Sequence, residues 1–382
     1  MNRTLQLSIV ALLFLVAFSY SAKGQLVDSQ ATPETKALHA NLIRIADSGF
    51  LFGHQDTDAY GVGWQADESR SDVKDITGDF PAVHGWDLGK IGRSMNIDSV
   101  DFGRMHGWIK AAYKRGAINT ISWHLDNPLT GESTWSKGAA VKESLPGGKS
   151  HNKFLEHLRH LADFLEACEV DGVKIPIIFR PWHEHNGDWF WWGKGIASEE
   201  DYISLWIFTV KYLRDERNLH HLLYAFSPDR SRIDLKNFSK SYLYGYPGDE
   251  WVDVLGYDNY HDMRPKPGER ERRAKELASG LSQLSSLAKE KKKVAALTET
   301  GQEKIPEENF FTDFVLEAIK SDPSIRISYM MFWRNARTSH HYIPFKGHAA
   351  ADDFVNFFKD PITLFEGDIM NMYQQQKTPL KK

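Results

Sequence analysis

Short apolar runs recur along this sequence, separated by longer amphipathic stretches. The apolar runs are rich in Val, Ile and aromatic residues, and most are continuous, which is typical of parallel strands buried on both faces. They predict eight β-strands, over 50–54, 81–86, 117–124, 174–182, 222–227, 252–260, 292–299 and 327–334.

The stretches between these runs have helical periodicity, and Ser198 ahead of three acidic residues marks one helix start. Eight strand–helix units without a Pro- or Gly-rich linker predict an α/β fold, a single (β/α)8 TIM barrel over about 35–375, with a helix at 33–48 covering its start. A doubly wound open sheet is disfavoured, because Phe52–Asp56 is not the Gly-rich phosphate turn of that fold. Helices are predicted over 101–115, 153–168, 199–217, 269–290 and 308–320.

The first 24 residues have the pattern of a signal peptide. Arg3 precedes an apolar run over 9–18, which is too short to cross a bilayer core of about 30 Å, and small residues precede Gln25. We therefore expect residues 1–24 to be removed, leaving 25–382 as one catalytic domain exported to the periplasm or the medium. A retained N-terminal anchor is the alternative. Cys168 is the only cysteine, so neither an internal disulfide nor a lipid anchor at the cleavage site is expected.

Charge and composition narrow the class of protein. The 51 acidic and 47 basic residues give a net charge of -4, and no basic block indicates nucleic-acid binding. Aromatic residues are numerous, with 12 Trp, 14 Tyr and 22 Phe. This composition predicts a globular protein with an aromatic-rich core or binding surface.

Polar and aromatic residues stand at the C-terminal ends of the predicted strands. In a barrel these ends meet on one face, which carries the active site in barrel enzymes. Their common placement predicts one polar pocket rather than unrelated surface residues. They are His54, Asp87, His124, His183, Glu184, Asp258, Tyr260, Glu299, Trp333 and Arg334.

Glu184 and Glu299 form a candidate catalytic pair, because they end the fourth and seventh predicted strands on opposite sides of the barrel mouth. Retaining glycoside hydrolysis uses two carboxyl groups about 5–5.5 Å apart. The tryptophans at 182 and 189–192 are expected to desolvate Glu184 and favour its protonated form. Tyr260 and an imidazole are the expected donors to Glu299.

The segment 182–192 also has the composition of a sugar-binding surface, which combines flat aromatic rings with polar side chains. Aromatic residues packed in the core are the alternative interpretation of the same run. The residues concerned are Trp189, Trp191, Trp192, His185, Asn186 and Asp188.

Three ordered motifs resemble glycoside hydrolase family 26, the β-mannanases of the large (β/α)8 retaining clan. The resemblance extends from about residue 50 to Arg334, and Leu51-Phe-Gly-His-Gln55 and Trp123-His124 match as well. The motifs are Arg180-Pro-Trp-His-Glu-His-Asn-Gly-Asp-Trp-Phe-Trp-Trp-Gly193, Tyr246-Pro-Gly-Asp-Glu-Trp-Val-Asp-Val-Leu-Gly-Tyr-Asp-Asn-Tyr260 and Ala296-Leu-Thr-Glu-Thr-Gly301.

The resemblance implies that Glu184 is the general acid/base and Glu299 the nucleophile. It also implies that His183 and Tyr260 hold the nucleophile and the -1 sugar, and Arg180 and Arg334 are expected to tune the carboxylates. No cofactor or metal is expected, and the implied partner of a monomeric enzyme is a β-mannan oligo- or polysaccharide. The expected substrate contacts are His124, His183, Trp189, Asp258, Tyr260, Trp333, Arg334 and, at a more distal subsite, Trp135.

Other functions remain open from the sequence. A metal-dependent hydrolase would use His54, His124, His183 and His185, but no His-Glu-x-x-His pair is present. A sugar-binding barrel without catalysis is the non-enzymatic alternative. Within the family, mannan, glucomannan or galactomannan is the first choice of substrate, and mixed-linkage β-glucan or β-1,3-xylan the second.

Overall fold

A computed structural model describes residues 26–375 of the chain, so the predicted signal peptide lies outside the described residues. Eight parallel strands form a closed barrel, because the first strand pairs with the second and also with the eighth, at Leu51 and Tyr329. All eight predicted strands are confirmed, with shifted boundaries. They are β1 Phe50–Gln55, β2 Val83–Asp87, β3 Ile118–Trp123, β4 Ile177–Pro181, β5 Leu222–Phe226, β6 Val254–Asn259, β7 Val294–Thr300 and β8 Tyr329–Phe332.

The strands are buried on both faces, which explains their continuous apolar runs. One set of side chains fills the barrel interior, and the alternating set packs against the surrounding helices. The interior set near the N-terminal strand ends is wholly apolar apart from a tyrosine hydroxyl, so this end of the barrel is a packed core. It includes Leu51, Val83, Ile118, Ile178, Leu223, Val254, Val294 and Tyr329.

The predicted helices are confirmed, although two of them contain a π-helical turn, at Tyr212–Glu216 and Phe311–Leu316. Ser198 caps its helix by accepting a hydrogen bond from the Asp201 N–H at 3.1 Å. Within residues 26–375, no helix is both long and apolar enough to cross a membrane. The α-helices are α1 Pro33–Ile45, α2 Asp72–Thr77, α3 Phe102–Arg115, α4 Val141–Ser144, α5 His151–Glu166, α6 Glu199–Lys211, α7 Phe238–Tyr242, α8 Arg270–Lys291, α9 Glu317–Lys320 and α10 Ala351–Lys359.

Helix α1 covers the N-terminal end of the barrel, as predicted, and ends three residues earlier than expected. Its residues Leu38, Leu42 and Ile45 pack on the interior side chains of the strands. The C-terminal segment joins the same cover, because the Tyr373 hydroxyl donates to the Ala117 carbonyl at 2.5 Å. We call this covered end of the barrel the closed end and the opposite end the mouth.

Several short elements were not predicted, because two to six residues are too few for a periodic pattern. A two-stranded hairpin, Tyr60–Gly61 with Trp64–Gln65, follows β1. Asp72 in α2 fixes it by accepting hydrogen bonds from the Trp64 indole at 2.7 Å and the Val62 N–H at 3.0 Å. The hairpin therefore forms a fixed wall beside the mouth.

Candidate active site

The predicted convergence of strand ends is confirmed for most of the residues concerned. Side chains from β4, β6 and β7 meet in one buried hydrogen-bonded group around Arg180. Side chains from β2 and the segments after β3 and β4 form a second group around His124. His54 belongs to neither group and is buried within β1.

Glu299 lies in β7 with donors on both carboxylate oxygens. The Tyr260 hydroxyl donates to Oε1 at 2.7 Å, and the Arg180 guanidinium donates to Oε2. Burial raises the pKa of Tyr260 well above its ordinary value, so this hydroxyl keeps the proton that it donates. Tyr260 is thus confirmed as a donor to Glu299. The expected imidazole donor is wrong, because Arg180 occupies that role.

Irregular strand pairing places Glu299 in the mouth. Leu297 faces the helices, so simple alternation would turn Glu299 in the same direction. The register between β7 and β8 shifts between Leu297 and Thr300, and the register between β6 and β7 shifts at Asp258. Bulges of this kind re-aim side chains beside active sites. As a result, Asp258 and Glu299 lie opposite each other on adjacent strands.

Asp258 is fully buried and surrounded by protein donors. Arg180 donates to Oδ2 at 2.6 Å, and the hydroxyls of Ser227 and Thr298 donate to Oδ1 at 2.6 and 2.9 Å. Burial raises the pKa of Asp258 to about 7, against the opposing charge of Arg180 and with the charge of Glu299 adding to the rise. Asp258 was predicted as a substrate contact, and these bonds make it a support for Arg180.

Glu184 follows β4 by three residues and lies in a left-handed backbone conformation, with φ of 52°. Its N–H donates to the Ser227 carbonyl at 2.7 Å, which fixes this turn to the end of β5. Its Oε2 accepts from the Trp189 indole N–H at 2.6 Å. Burial, followed by the charges of Asp258, Glu299 and Asp229, raises the pKa of Glu184 well above its ordinary value. The protonated form expected of a general acid is therefore favoured.

Only Trp189 of the tryptophan run reaches Glu184 as a hydrogen-bond donor. Trp191 and Trp192 are fully buried, and their indole N–H groups donate to the carbonyls of Leu125 and His183, each at 2.9 Å. The interpretation of these two rings as part of a sugar-binding surface is therefore wrong. It is also wrong for His185 and Asn186, which are buried and bond to the backbone of Tyr244 and Asp229.

His124 and His183 form a buried pair, with 3.2 Å between their Nε2 atoms. His124 Nδ1 lies 2.7 Å from the Asp87 carboxylate. Burial lowers the pKa of His124, but the charge and hydrogen bond of Asp87 outweigh burial and raise it overall. Burial, then the charges of Arg180 and His124, hold the pKa of His183 well below its ordinary value. The pair therefore carries its proton on His124.

Trp135 lies above this pair at the edge of the mouth. Its ring stacks on His124 with 5.7 Å between centroids, and 51% of its surface is exposed. An exposed tryptophan on a fixed polar residue is suited to pack against the apolar face of a sugar ring. Its role at a distal subsite stays a prediction.

The polar partners of Arg334 among the described residues are Asp98 and Tyr60 rather than the glutamates. Its guanidinium pairs with Asp98 at 2.9 Å and donates to the Tyr60 hydroxyl at 3.2 Å. The Tyr60 hydroxyl in turn donates to Asp56 at 2.5 Å. Arg180 contacts Glu299 directly as expected, whereas the expectation that Arg334 tunes the carboxylates stays a prediction. Neighbouring Trp333 is half-buried after β8.

Sequence reasoning missed the partners of Arg334 and the hydroxyl donors to Asp258. Tyr60, Asp98, Ser227 and Thr298 come from four separate segments. Thr298 lies in the quoted motif at 296–301, but nothing in that motif distinguishes its hydroxyl from its neighbours. Ser227 and Thr298 stand at strand ends, which is the one signal that could have found them. Tyr60 and Asp98 lie between the predicted strands and helices, where the sequence carries no periodic pattern.

His183, Asp258 and Glu299 place possible metal-ligand atoms within 4.8 Å of one another. Arg180 already donates to both carboxylates and supplies a positive charge between them. A divalent ion would have to displace a buried guanidinium from this group. The donor set therefore suits an internal arginine better than a metal.

Comparisons with known proteins agree with this architecture. The sequence profile described as glycosyl hydrolase family 26 matches residues 27–348. A mannan endo-1,4-beta-mannosidase from Bifidobacterium adolescentis is 35% identical over 354 residues, which cover 86% of this chain and 34% of that protein. The chain thus spans about a third of the length of that relative.

Two solved structures are similar over most of the chain. A GH26 beta-mannanase from Bacteroides ovatus is 41% identical, with a TM-score of 0.84 over 91% of this chain and 99% of that one. A modular endo-beta-1,4-mannanase from Cellulomonas fimi is 36% identical, with a TM-score of 0.83 over 93% of this chain and 80% of that one. The barrel and its strand-end carboxylates agree with these matches. The chain therefore belongs to glycosyl hydrolase family 26.

Proposed function

We propose that the protein is a retaining β-mannanase that hydrolyses β-1,4-mannosidic bonds in mannan, glucomannan or galactomannan. The observation that carries this proposal is the contrast between its two glutamates. The surroundings of Glu184 raise its pKa and favour its protonated form. Glu299 instead accepts hydrogen bonds from Arg180 and Tyr260 on its two carboxylate oxygens. Retaining hydrolysis requires one carboxyl group as acid and one as nucleophile. The mannanases to which the chain is similar support the choice of substrate.

In the first step Glu299 attacks the anomeric carbon and Glu184 donates its proton to the departing glycosidic oxygen. A glycosyl ester on Glu299 and a free sugar hydroxyl result. Arg180 and Tyr260 orient the attacking carboxylate, because each holds one of its oxygens. The charge of Glu299 is lost when the ester forms.

In the second step Glu184, now a carboxylate, takes a proton from a water that attacks the same carbon. The ester bond breaks, Glu299 leaves as a carboxylate, and Glu184 is protonated again. Two inversions give a product with the anomeric configuration of the substrate. The Trp189 N–H stabilises the ionised form of Glu184 between the two steps.

The substrate contacts proposed for this site lie on both sides of the glutamates. Trp189 lies beside the acid and Tyr260 donates to the nucleophile, while Trp333 follows β8, where its N–H donates to the Thr300 carbonyl next to Glu299. His124, with His183 behind it, and exposed Trp135 extend the surface beyond the reacting sugar. Their aromatic rings and imidazoles suit the apolar faces and hydroxyls of pyranose rings.

We also propose that residues 1–24 are removed and that the mature chain acts as a soluble monomer in the periplasm or the medium. The apolar run over 9–18 and the absence of a cysteine before Gln25 support this proposal. The Val27 N–H bonds to buried Asp253 at 2.8 Å, so cleavage ahead of Gln25 would leave the closed end intact. Sequencing the N-terminus of the exported protein tests it, and an intact Met1 would contradict it.

The catalytic proposal is tested by measuring the anomeric configuration of the first product. Proton NMR during digestion of linear mannan should show the β-anomer as the first product, and an α-anomer would contradict double displacement. Parallel digestion of galactomannan, mixed-linkage β-glucan and β-1,3-xylan tests the substrate. Faster turnover of the glucan or the xylan would overturn the assignment to mannan. An absence of turnover on all four would favour a sugar-binding barrel.

A further inference from the structure

The guanidinium of Arg232 lies over the indole ring that bonds to Glu184. Its central carbon is 5.6 Å from the centre of the Trp189 ring, and half of the Arg232 side chain is exposed. The same guanidinium donates to the Asp188 carboxylate at 2.9 Å. Asp188 directly precedes Trp189, so one arginine contacts two consecutive residues of the segment that follows Glu184. The proposed catalytic steps use neither contact.

The Trp189 ring is also held from within its own segment. A Cβ atom placed on Gly187 would lie 2.3–2.4 Å from three atoms of the six-membered ring. The backbone at Gly187 therefore packs directly on the indole, and any larger residue there would displace the ring. The Lys137 ammonium donates to the Asp188 carbonyl and holds the residue between them. These contacts keep the indole N–H on Glu184 Oε2, which accepts it at 2.6 Å.

The turn that carries Arg232 is joined to the acid segment by backbone contacts. Arg232 ends the 3-10 turn Arg230–Arg232, and Asp229 caps the start of this turn. The Asn186 amide bonds to both backbone groups of Asp229, donating to its carbonyl at 2.8 Å and accepting its N–H at 2.7 Å. The guanidinium thus extends from a backbone that is fixed relative to the indole. Only the side-chain entropy of the arginine opposes its contact with the ring.

We propose that Arg232 is a positioning residue that holds the Trp189 indole where its N–H bonds to the acid/base Glu184, an inference that rests on the proposed function. A guanidinium over an indole is attracted to the negative face of the ring. The Asp188 carboxylate keeps the guanidinium in that place. Without Arg232 the indole spends part of its time away from Glu184. The ionised form of Glu184, which occurs between the two catalytic steps, is then less stabilised.

The test compares Arg232→Ala, Trp189→Phe and the double variant in the full chain. Arg232 is exposed on a short turn, so its truncation leaves the core unchanged. For each protein, kcat/KM on linear mannohexaose is measured against pH. Arg232→Ala should lower kcat/KM by about two- to fivefold. It should also move the alkaline limb to higher pH, because the Trp189 N–H lowers the pKa of Glu184. In the Trp189→Phe background no indole N–H remains to be positioned, so Arg232→Ala should change neither quantity.

The matched control is Arg214→Ala. The Arg214 guanidinium lies 5.2 Å from the centre of the Trp251 ring and pairs with Asp215 at 2.7 Å, which is the same arrangement at the closed end. This variant should leave the pH profile unchanged. An activated aryl β-mannoside is the matched substrate, since its leaving group departs without a proton. Its kcat/KM should not respond to Arg232→Ala.

Three outcomes would overturn the positioning role. A shift of the alkaline limb that persists in the Trp189→Phe background would mean that Arg232 acts on Glu184 through its own charge. A lower kcat/KM without any shift would mean that Arg232 binds the departing sugar instead. An unchanged profile would mean that the indole needs no support from Arg232. Failure of the unsubstituted protein to cleave any β-mannan would instead overturn the proposed function.

Discussion

The two sides of the mouth contain the same chemical group in different surroundings. On the β4 side, Glu184 accepts one indole N–H, and burial followed by the charges of three other carboxylates raises its pKa. On the β7 side, a guanidinium and a phenol hold both oxygens of Glu299. Identical side chains therefore acquire opposite tasks from their neighbours, since like charges and burial favour a bound proton and donors favour the carboxylate.

The largest expected effect is the loss of the nucleophile. Glu299→Ala should lower kcat on every glycoside by on the order of 10⁶-fold, because no other described group is placed to form the glycosyl ester. The measurement is steady-state hydrolysis of mannan and of aryl β-mannosides with good and poor leaving groups. Residual activity that depends on the leaving group would show that Glu299 is not the nucleophile.

Glu184→Ala should respond differently to the same substrates. With poor leaving groups kcat should fall by about 10²–10⁴-fold, because proton donation is lost. With an activated aryl glycoside the first step should survive, so that a burst of the released phenol precedes slow turnover. Azide should restore turnover and give a glycosyl azide with the configuration of the substrate. If Glu184→Ala and Glu299→Ala respond alike to leaving group and azide, the two roles are misassigned.

Arg180→Lys tests whether the guanidinium of Arg180 holds the carboxylates of Asp258 and Glu299 together. A lysine cannot hold Asp258 and Glu299 in the same forked geometry, so one buried carboxylate loses its partner. The free energy of unfolding should fall by about 3–5 kcal/mol, measured by urea denaturation. Arg272→Lys is the control, since its exposed ion pairs contribute at most about 1 kcal/mol. Equal stability of the two variants would mean that Arg180 does not hold this group together.

The smallest effect is expected from Trp189→Phe, which keeps an aromatic ring and removes the N–H on Glu184. This N–H favours the ionised form, so its loss should raise the pKa of Glu184 further. Because Glu184 donates a proton, kcat/KM declines as pH rises through that pKa, and the alkaline limb should move to higher pH. A fall in kcat of about tenfold should accompany it. Trp251→Phe, on the closed-end side, should leave the pH profile unchanged.

Most of the fold could be predicted from the sequence, because strands buried on both faces leave long apolar runs. The placement of the glutamates at strand ends followed from the same pattern. The bulges beside Asp258 and Glu299 could not be predicted, since a register shift depends on the neighbouring strand rather than on local residue types. Alternation alone would have turned Glu299 towards the helices.

The tryptophan run shows a second limit. Trp189 and Trp191 are two residues apart in one turn-rich segment, yet one bonds to Glu184 and the other fills the core. Composition identified the segment but could not separate these two positions, because they depend on contacts with residues distant in sequence. The indole N–H and the backbone N–H of Trp191, for example, donate to the carbonyls of Leu125 and Thr134 after β3. The pairing of Arg334 with Asp98 was missed for the same reason, since the two residues are far apart in sequence.

The cover of the closed end has a consequence for how the molecule meets its substrate. The Val27 N–H bonds to Asp253 just ahead of β6, and the Asn41 amide donates to the carbonyls of Met372 and Gln374. Both ends of the described chain therefore emerge on the side remote from the glutamates. A bead, a surface or a second module joined at either end would therefore lie on the closed-end side. The mouth would remain accessible to an insoluble fibre.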